Sequence, residues 1–243
     1  MTRTKDALKR IGHKGADLIE PGDTAASFDA ARAHGVDMIE LDVLPEAWTK
    51  KSGPRGRLLL AHDYGDAARR DPLTLREGLA HLSSDPFGEI HFILDLKLPG
   101  YEAQIVDALA EAGLSDRSLV STTYRRSLAE LRRLDGDLRL AWSVPRARRD
   151  YTRSPLLALP ALGALRVIRR FLPARASAAI RGGLCDAIMA HWRLASPALV
   201  HAVRGAGGDL FVWTVDHAER IRQLEKLGVT GVITNDPRLF DPA

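Results

Sequence analysis

The stretch that decides the fold is MIELDV, residues 38–43. Most of it is apolar and strand-forming, and short runs of this kind usually become strands buried in a parallel sheet. Glu40 and Asp42 interrupt the run, and because side chains alternate along a strand, both carboxylates point to the same side. Two carboxylates in a protein interior repel each other and lose hydration unless a positive group lies nearby. The sequence therefore predicts a buried strand whose acidic pair requires a cationic partner.

The same pattern of a helical stretch, a glycine and an apolar strand recurs along the chain of 243 residues. Glycine just after a helix is the expected left-handed cap, and alternating helices and strands indicate parallel β-α units. The strands are predicted around Ile11–His13, Met38–Val43, Ile90–Lys97, Ser118–Tyr124, Leu138–Val144, Asp186–His191, Asp209–Val215 and Gly231–Asn235. Eight such units favour an α/β fold, a single-domain (β/α)8 TIM barrel spanning residues 1–243, and an open doubly wound sheet is the alternative.

One further strand, RLLLAHD (57–63), does not fit the parallel count. The connector before it, residues 44–56, has no helical period, whereas a parallel crossover usually contains a helix. We therefore expect 44–56 to be a hairpin loop and residues 57–62 to fold back antiparallel beside the second predicted strand. This hairpin would bring His62 and Asp63 close to the acidic pair.

The net charge of +4 is concentrated in one segment, since residues 146–183 contain nine arginines and a single aspartate. We expect one or two helices there. Such a patch attracts phosphates, so peripheral contact with an anionic membrane is one hypothesis and a solvated helical face is the other. Nucleic acid is not expected as a partner, because the arginines are not interleaved with a series of aromatic residues for base stacking.

The chain shows no sign of secretion or of a membrane span. Residues 1–15 contain no apolar stretch of signal-peptide length, and the longest apolar region, 156–168, is shorter than the roughly 20 residues a spanning helix needs. The one cysteine, Cys185, excludes an internal disulfide and is expected to be a small buried residue. We expect a soluble, cytoplasmic protein; its oligomeric state is not predicted.

Side chains suited to catalysis fall at the ends of the predicted strands, where parallel barrels carry their active sites. They are His13, Lys14, Glu40, Asp42, His62, Asp95, Lys97, His191 and Trp213. Oxygen-only ligands favour a hard cation, so the three carboxylates are predicted to bind one Mg²⁺ or Ca²⁺. Imidazoles suit general acid–base catalysis, and lysines suit an anionic substrate. This combination indicates metal-assisted cleavage of a phosphate ester.

Each of these residues also has a simpler interpretation. Salt bridges often explain an acidic pair, and a single histidine is more often structural than catalytic. Trp213 is either part of the core or an apolar floor beneath a substrate. The functional interpretation depends on several such positions falling on successive strand ends.

The order of these motifs resembles the glycerophosphodiester phosphodiesterase family. The resemblance extends from about residue 10 to residue 240 and is weakest in 64–90 and 146–185. It is carried by GHKG (12–15), PGDTAASFDAARAHGVDMIELDV (21–43), LLLAHD (58–63), ILDLK (93–97), AHWRLASPALV (190–200), FVWTVD (211–216) and GVITNDP (231–237). It implies a phospholipase-C-like TIM barrel that hydrolyses glycerophosphodiesters to glycerol 3-phosphate and an alcohol.

The resemblance also implies roles for particular residues. His13 and His62 would be the acid/base pair, and Glu40, Asp42 and Asp95 would hold one divalent cation. We lean toward His13 as the base and His62 as the acid.

Four further residues are candidate substrate contacts. The resemblance implies that Lys14 and Lys97 contact the phosphate. His191 and Trp213, at the ends of later strands, are added from their position alone.

Several departures from the family pattern leave alternatives open. Lysine stands at 14 instead of arginine and loses the bidentate fork, Gly22 and Asp23 stand within a motif that is usually P-E-N-T, and Asp95 replaces a glutamate. The D-L-K motif around Asp95 also resembles the sphingomyelinase D branch. The segment after His62 is short, so we expect an open mouth that admits a lysophospholipid. The alternatives are therefore a lysophospholipase D or sphingomyelinase D-like enzyme at a membrane surface, or an inactive barrel that serves as a binding module.

Overall fold

A closed barrel of parallel strands forms the centre of the computed structural model, which describes residues 7–145 and 158–241. The strand β1 pairs in parallel with both β2 and β9, and this pairing closes the sheet. The barrel strands are β1 (Lys9–Gly12), β2 (Met38–Thr49), β4 (His91–Leu96), β5 (Ser118–Thr122), β6 (Arg139–Val144), β7 (Ala187–His191), β8 (Asp209–Trp213) and β9 (Gly231–Thr234). The predicted (β/α)8 TIM barrel is confirmed.

Helices lie between the barrel strands and surround the sheet. They are α1 (Ala25–Ala33), α2 (Tyr64–Ala67), α3 (Leu75–Leu82), α4 (Glu102–Ala112), α5 (Arg125–Leu134), α6 (Ala158–Arg181), α7 (Pro197–Arg204) and α8 (Ala218–Leu227). Local sequence sets several of their ends. The side chain of Thr24 caps α1 by accepting a hydrogen bond from the backbone of Ser27. Gly113 and Gly228 end α4 and α8 in the left-handed conformation, as the glycine pattern predicted.

The predicted antiparallel hairpin is confirmed, but its loop is shorter than expected. The strand β3 (Gly53–Leu60) pairs with β2, and the ladder extends to Thr49 opposite Gly53. Residues 44–49 are therefore strand, and only 50–52 connect the two strands. The prediction of a loop over 44–56 was wrong because β3 lies at the end of the sheet, where proline and glycine are tolerated in a ladder.

Two layers of apolar side chains build the core. One lies between the strands and the helices, and the other fills the barrel interior. The interior layer consists of Ile11, Met38, Ile93, Leu119, Ala141, Ala187, Met189, Phe211 and Ile233. Trp213 packs against this layer, so the barrel is filled up to its carboxyl end. Cys185 is buried as expected, and burial raises the pKa of its thiol to about 11.

The basic segment 146–183 forms one long helix, α6, over its described part. The arginines at 146, 148, 149 and 153 lie outside the described residues. Among the residues that the structure describes, no helix combines the length and apolar character required to span a membrane.

Candidate active site

The three predicted carboxylates meet at the carboxyl end of the barrel. Strand register places Asp42 of β2 directly beside Asp95 of β4, and Glu40 lies two residues earlier on the same side of β2. One carboxylate oxygen from each of the three residues lies within 4.8 Å of the others. Glu40 and Asp42 are 3% and 0% exposed, so the predicted acidic pair is buried.

Lys97 supplies a positive charge within this cluster. Its Nζ lies 2.5 Å from Asp42 Oδ1 and 2.6 Å from Asp95 Oδ2. Burial opposes the ammonium charge, but the two carboxylates outweigh it and raise the pKa of Lys97 well above its ordinary value. Burial likewise opposes the charge on Asp42, yet Lys97 and then His62 hold the pKa of Asp42 well below its ordinary value. The structure thus places Lys97 between two carboxylates.

Asp23 adds a fourth carboxylate that the sequence did not single out as a site residue. It is fully buried, and its Oδ1 accepts a hydrogen bond of 3.0 Å from the backbone N–H of Asp42. Its Oδ2 is buried and has no hydrogen-bond partner among the described residues. The backbone φ of +58° is one that aspartate tolerates better than most residues, because its short side chain can bond locally.

Acidic groups outnumber basic ones in this cluster. Burial and the nearby Asp42 carboxylate raise the pKa of Glu40 well above its ordinary value, and the same two causes raise the pKa of Asp23. A single ammonium, that of Lys97, pairs with Asp42 and Asp95. The oxygen donors, their spacing and the unbonded oxygen of Asp23 therefore fit a hard divalent cation.

His62 lies on one side of the cluster. Its Nδ1 is 2.7 Å from Asp42 Oδ2, and its side chain is 48% exposed, so the other ring nitrogen is accessible to a substrate. The backbone N–H of His62 donates to Asp66, and Arg70 holds the Asp66 carboxylate from the other side. The predicted neighbour Asp63 instead caps α2.

His13 lies on the other side and is oriented by two residues that sequence reasoning missed. Its Nδ1 is 2.6 Å from Asn235 Oδ1, and Asn235 Nδ2 donates to Asp216 Oδ2 at 2.8 Å. Since that amide donor fixes the orientation of Asn235, Nδ1 of His13 carries the proton, and Nε2 is left with its lone pair, 3.8 Å from Glu40 Oε2. Burial lowers the pKa of His13, which favours a neutral imidazole.

The remaining candidates occupy different places around the mouth. The Nζ of Lys14 pairs with Asp17 at 2.5 Å, while its backbone N–H donates to Glu40. His191 and Trp213 lie side by side in the β7–β8 register and contact edge to face, with ring centroids 5.4 Å apart. They are the last residues of β7 and β8.

Comparison with known proteins shows what this chain resembles. Residues 142–239 match the model of the glycerophosphoryl diester phosphodiesterase family. A glycerophosphodiester phosphodiesterase from Caldanaerobacter subterraneus is 25% identical over an alignment 270 positions long, gaps included, that covers 93% of each chain. The chain is similar to glycerophosphodiester phosphodiesterases, over residues 142–239 for the family model and over most of its length for this relative. The predicted resemblance is thus confirmed.

Solved structures agree with this family at the level of the fold. A glycerophosphodiester phosphodiesterase from Parabacteroides distasonis superposes with a TM-score of 0.71 at 15% identity, covering 97% of this chain and 95% of its own. A phosphodiesterase from Oleispira antarctica, solved in complex with the product sn-glycerol-3-phosphate, gives a TM-score of 0.68 at 18% identity and covers 96% and 94%.

Proposed function

We propose that this protein hydrolyses glycerophosphodiesters to glycerol 3-phosphate and an alcohol with the help of one divalent cation, Mg²⁺ or Ca²⁺. The observation that carries the proposal is a cluster of four acidic side chains, three of them buried, in which one ammonium pairs with Asp42 and Asp95 and which two imidazoles flank. A stable scaffold alone would pair these charges, because unpaired buried charge is costly. The product complex of the Oleispira antarctica relative supports the substrate class.

Glu40, Asp42 and Asp95 would hold the cation, which would polarise a phosphoryl oxygen as a Lewis acid. Lys97 orients two of these carboxylates and adds positive charge beside the phosphate. His13 Nε2 accepts the proton of the attacking oxygen, since its lone pair faces the cluster. The attacker is either water or the glycerol hydroxyl of the substrate, and the second route passes through a cyclic phosphate.

His62 completes the reaction on the leaving-group side. The new bond joins the attacking oxygen to phosphorus, and the bond from phosphorus to the alcohol oxygen breaks. Because Asp42 occupies Nδ1 of His62, the exposed Nε2 delivers a proton to the departing alcohol. This division of roles makes His13 the base and His62 the acid.

The direct test is hydrolysis of glycerophosphocholine, followed by release of glycerol 3-phosphate. We expect turnover with Mg²⁺ or Ca²⁺, loss of turnover after EDTA, and recovery when the cation is restored. Full activity after thorough chelation would exclude the metal role, and no turnover under any condition would favour an inactive binding module.

A lysophospholipid is a second candidate substrate, and the short segment after His62 supports it. Only the four-residue helix α2 follows His62 and Asp63, and the His62 side chain is half exposed. A lysophospholipase D would release the head-group alcohol by the same chemistry. If lysophosphatidylcholine is turned over faster than glycerophosphocholine, this assignment replaces the first.

We also keep the cytoplasmic location and a role in lipid metabolism as proposals. The single buried cysteine is compatible with a reducing compartment, and glycerophosphodiesters are products of phospholipid breakdown.

A further inference from the structure

The helix α6 is much longer than the barrel requires. It has 24 residues, or about 36 Å at 1.5 Å per residue, whereas the other helices have 4 to 11 residues. Its fully buried side chains, Leu172, Ala176 and Ala179, all belong to the second half. From 163 to 171 every residue is exposed or only partly buried. Residues 172–179 therefore anchor the helix on the barrel, whereas residues 163–171 contact the core only through the partly buried Leu165 and Ile168.

Residues 163–171 lie at the same end of the barrel as the active site. With the next turn of α6 they border a groove of about 530 Å³ whose opposite wall contains Ser196 and Ala198. These two residues follow His191, the last residue of β7, and parallel strands all end at the mouth. The groove is lined on the α6 side by Arg166, Arg169, Arg170, Pro173 and Ala174.

The exposed surface of α6 combines apolar and basic side chains. Val167 and Phe171 are 60% and 58% exposed and lie one helical turn apart, so they share a face. Arg166 and Arg170 precede them by one position and flank that face. No acidic residue occurs anywhere in α6. A helix with this composition is suited to lie in the interface of an anionic bilayer.

The other large exposed apolar side chains of the described residues point to the same end. They are Leu18 and Tyr64. Leu18 follows the carboxyl end of β1, and Tyr64 follows the catalytic His62. Every large exposed apolar residue of the described chain therefore lies near the catalytic end or on α6. A soluble substrate does not require this distribution.

We propose that residues 163–171 of α6 form a docking face for an anionic membrane surface, oriented so that the mouth of the barrel opens toward the lipid. The proposal narrows the basic segment 146–183 to Arg166, Val167, Arg169, Arg170 and Phe171 within its described part. A second copy of the chain fits poorly, because a two-fold contact through this face would bring like arginines together. The orientation gives the proposed phosphodiesterase access to lipid-derived substrates; docking itself does not depend on that activity.

Sedimentation with vesicles tests docking without measuring catalysis. The probes are phosphatidylcholine vesicles with and without phosphatidylglycerol. We expect the wild-type protein to partition to the anionic vesicles at least about tenfold more strongly, because each basic residue near such a surface contributes about 1 kcal/mol. Arg166→Glu with Arg170→Glu should remove most of this preference.

A matched control separates the effect of this face on vesicle binding from the effect of the net charge of the protein. Arg222→Glu with Lys226→Glu makes the same charge change at the same spacing on exposed positions of α8, and should alter partitioning by less than about threefold. Val167→Ser with Phe171→Ser should also weaken binding while leaving every arginine in place. Glycerophosphocholine hydrolysis, which uses no α6 residue, should be unchanged in all three variants and reports that they are folded.

Three results would overturn the docking proposal. They are equal binding of the wild type to both kinds of vesicle, an equal loss in the α8 control, and concentration-dependent dimers that the α6 variants dissociate. If instead no variant or wild-type protein hydrolyses glycerophosphocholine, the proposed function fails, and the comparison of vesicle binding still decides whether α6 docks.

Discussion

Charged side chains are paired differently at the two ends of the barrel. At the amino end, opposite charges pair one to one, as in Arg139 with Asp209 at 2.6 Å and Arg132 with Asp186 at 2.7 Å. At the carboxyl end, Lys97 pairs with Asp42 and Asp95, Glu40 and Asp23 add two more acidic groups, and one buried oxygen of Asp23 has no hydrogen-bond partner among the described residues. Paired charges stabilise the fold, whereas an excess of buried acidic groups prepares an end for binding.

Hydrogen bonding at the amino end also serves to connect elements. Arg132 of α5 donates to the carbonyl oxygens of Gly136, Leu138 and Gly183 as well as to Asp186. Such an arginine replaces water at several carbonyl groups at once. Substitutions at this end should therefore affect stability, and substitutions at the carboxyl end should affect chemistry.

The largest expected effect is at His13. His13→Ala removes the proposed base and should lower kcat for glycerophosphocholine by about 10²–10⁴-fold, with little change in the melting temperature. The control is His201→Ala, an exposed histidine in the last turn of α7, which should retain full activity. Equal activity of the His13 variant and the control would show that His13 is not the base and would contradict an active site at the carboxyl end.

A smaller effect, on stability alone, is expected at Arg132. Arg132→Ala leaves several carbonyl groups and Asp186 without their donor and should lower the free energy of unfolding by about 1–3 kcal/mol. Its neighbour Arg133 is exposed and pairs with the exposed Glu130 of the same helix, so Arg133→Ala should cause no measurable change. Urea denaturation measures both, and kcat/KM of the folded protein should stay the same. A large loss of kcat/KM in the Arg132 variant would contradict the claim that the amino end affects stability alone.

The smallest expected effect is on the pH dependence of the stability of the metal-free protein, which depends on the acidic groups at the carboxyl end. Because the pKa of Glu40 is raised in the folded protein, the metal-free native state binds more protons than the unfolded chain above about pH 4.5. Its stability should therefore fall as pH rises through the folded pKa of Glu40. Glu40→Gln should weaken this decline and stabilise the metal-free protein at neutral pH by on the order of 1 kcal/mol.

Glu102→Gln is the matched control for this measurement. Glu102 is also buried, but its carboxylate accepts from Gly100 N–H at the start of α4, where a negative charge is favourable. We expect Glu102→Gln to be slightly less stable than the wild type, which is the opposite of the effect expected for Glu40→Gln. A metal-free Glu40→Gln protein that is less stable than wild type would show that the negative charge of Glu40 is already compensated.

Local sequence was sufficient for the barrel and for the acidic cluster. Alternation along 38–43 placed Glu40 and Asp42 on one side, and strand order placed Asp95 beside them. Glycines after the helices predicted the alternation of helices and strands. The absence of a helical period before β3 predicted the hairpin. These features depend on short-range patterns that each segment carries by itself.

The remaining features depend on contacts between distant segments. Asn235 and Asp216 orient His13 from more than 200 residues away, and nothing in the spacing of either residue indicates that role. Lys97 was expected at the phosphate because of its charge, but the β2–β4 register determines that its Nζ reaches Asp42. Asp23 reaches the site because the loop before α1 places its Oδ1 next to the backbone N–H of Asp42.

The most direct test of the central claim is an anomalous diffraction measurement on crystals soaked with Mn²⁺, which takes the same oxygen ligands as Mg²⁺ and Ca²⁺. The account predicts one strong peak bounded by the carboxylates of Glu40, Asp42 and Asp95, and no such peak in the Asp42→Asn variant. A wild-type map without a peak there, with Lys97 still bridging Asp42 and Asp95 at saturating Mn²⁺, would contradict it.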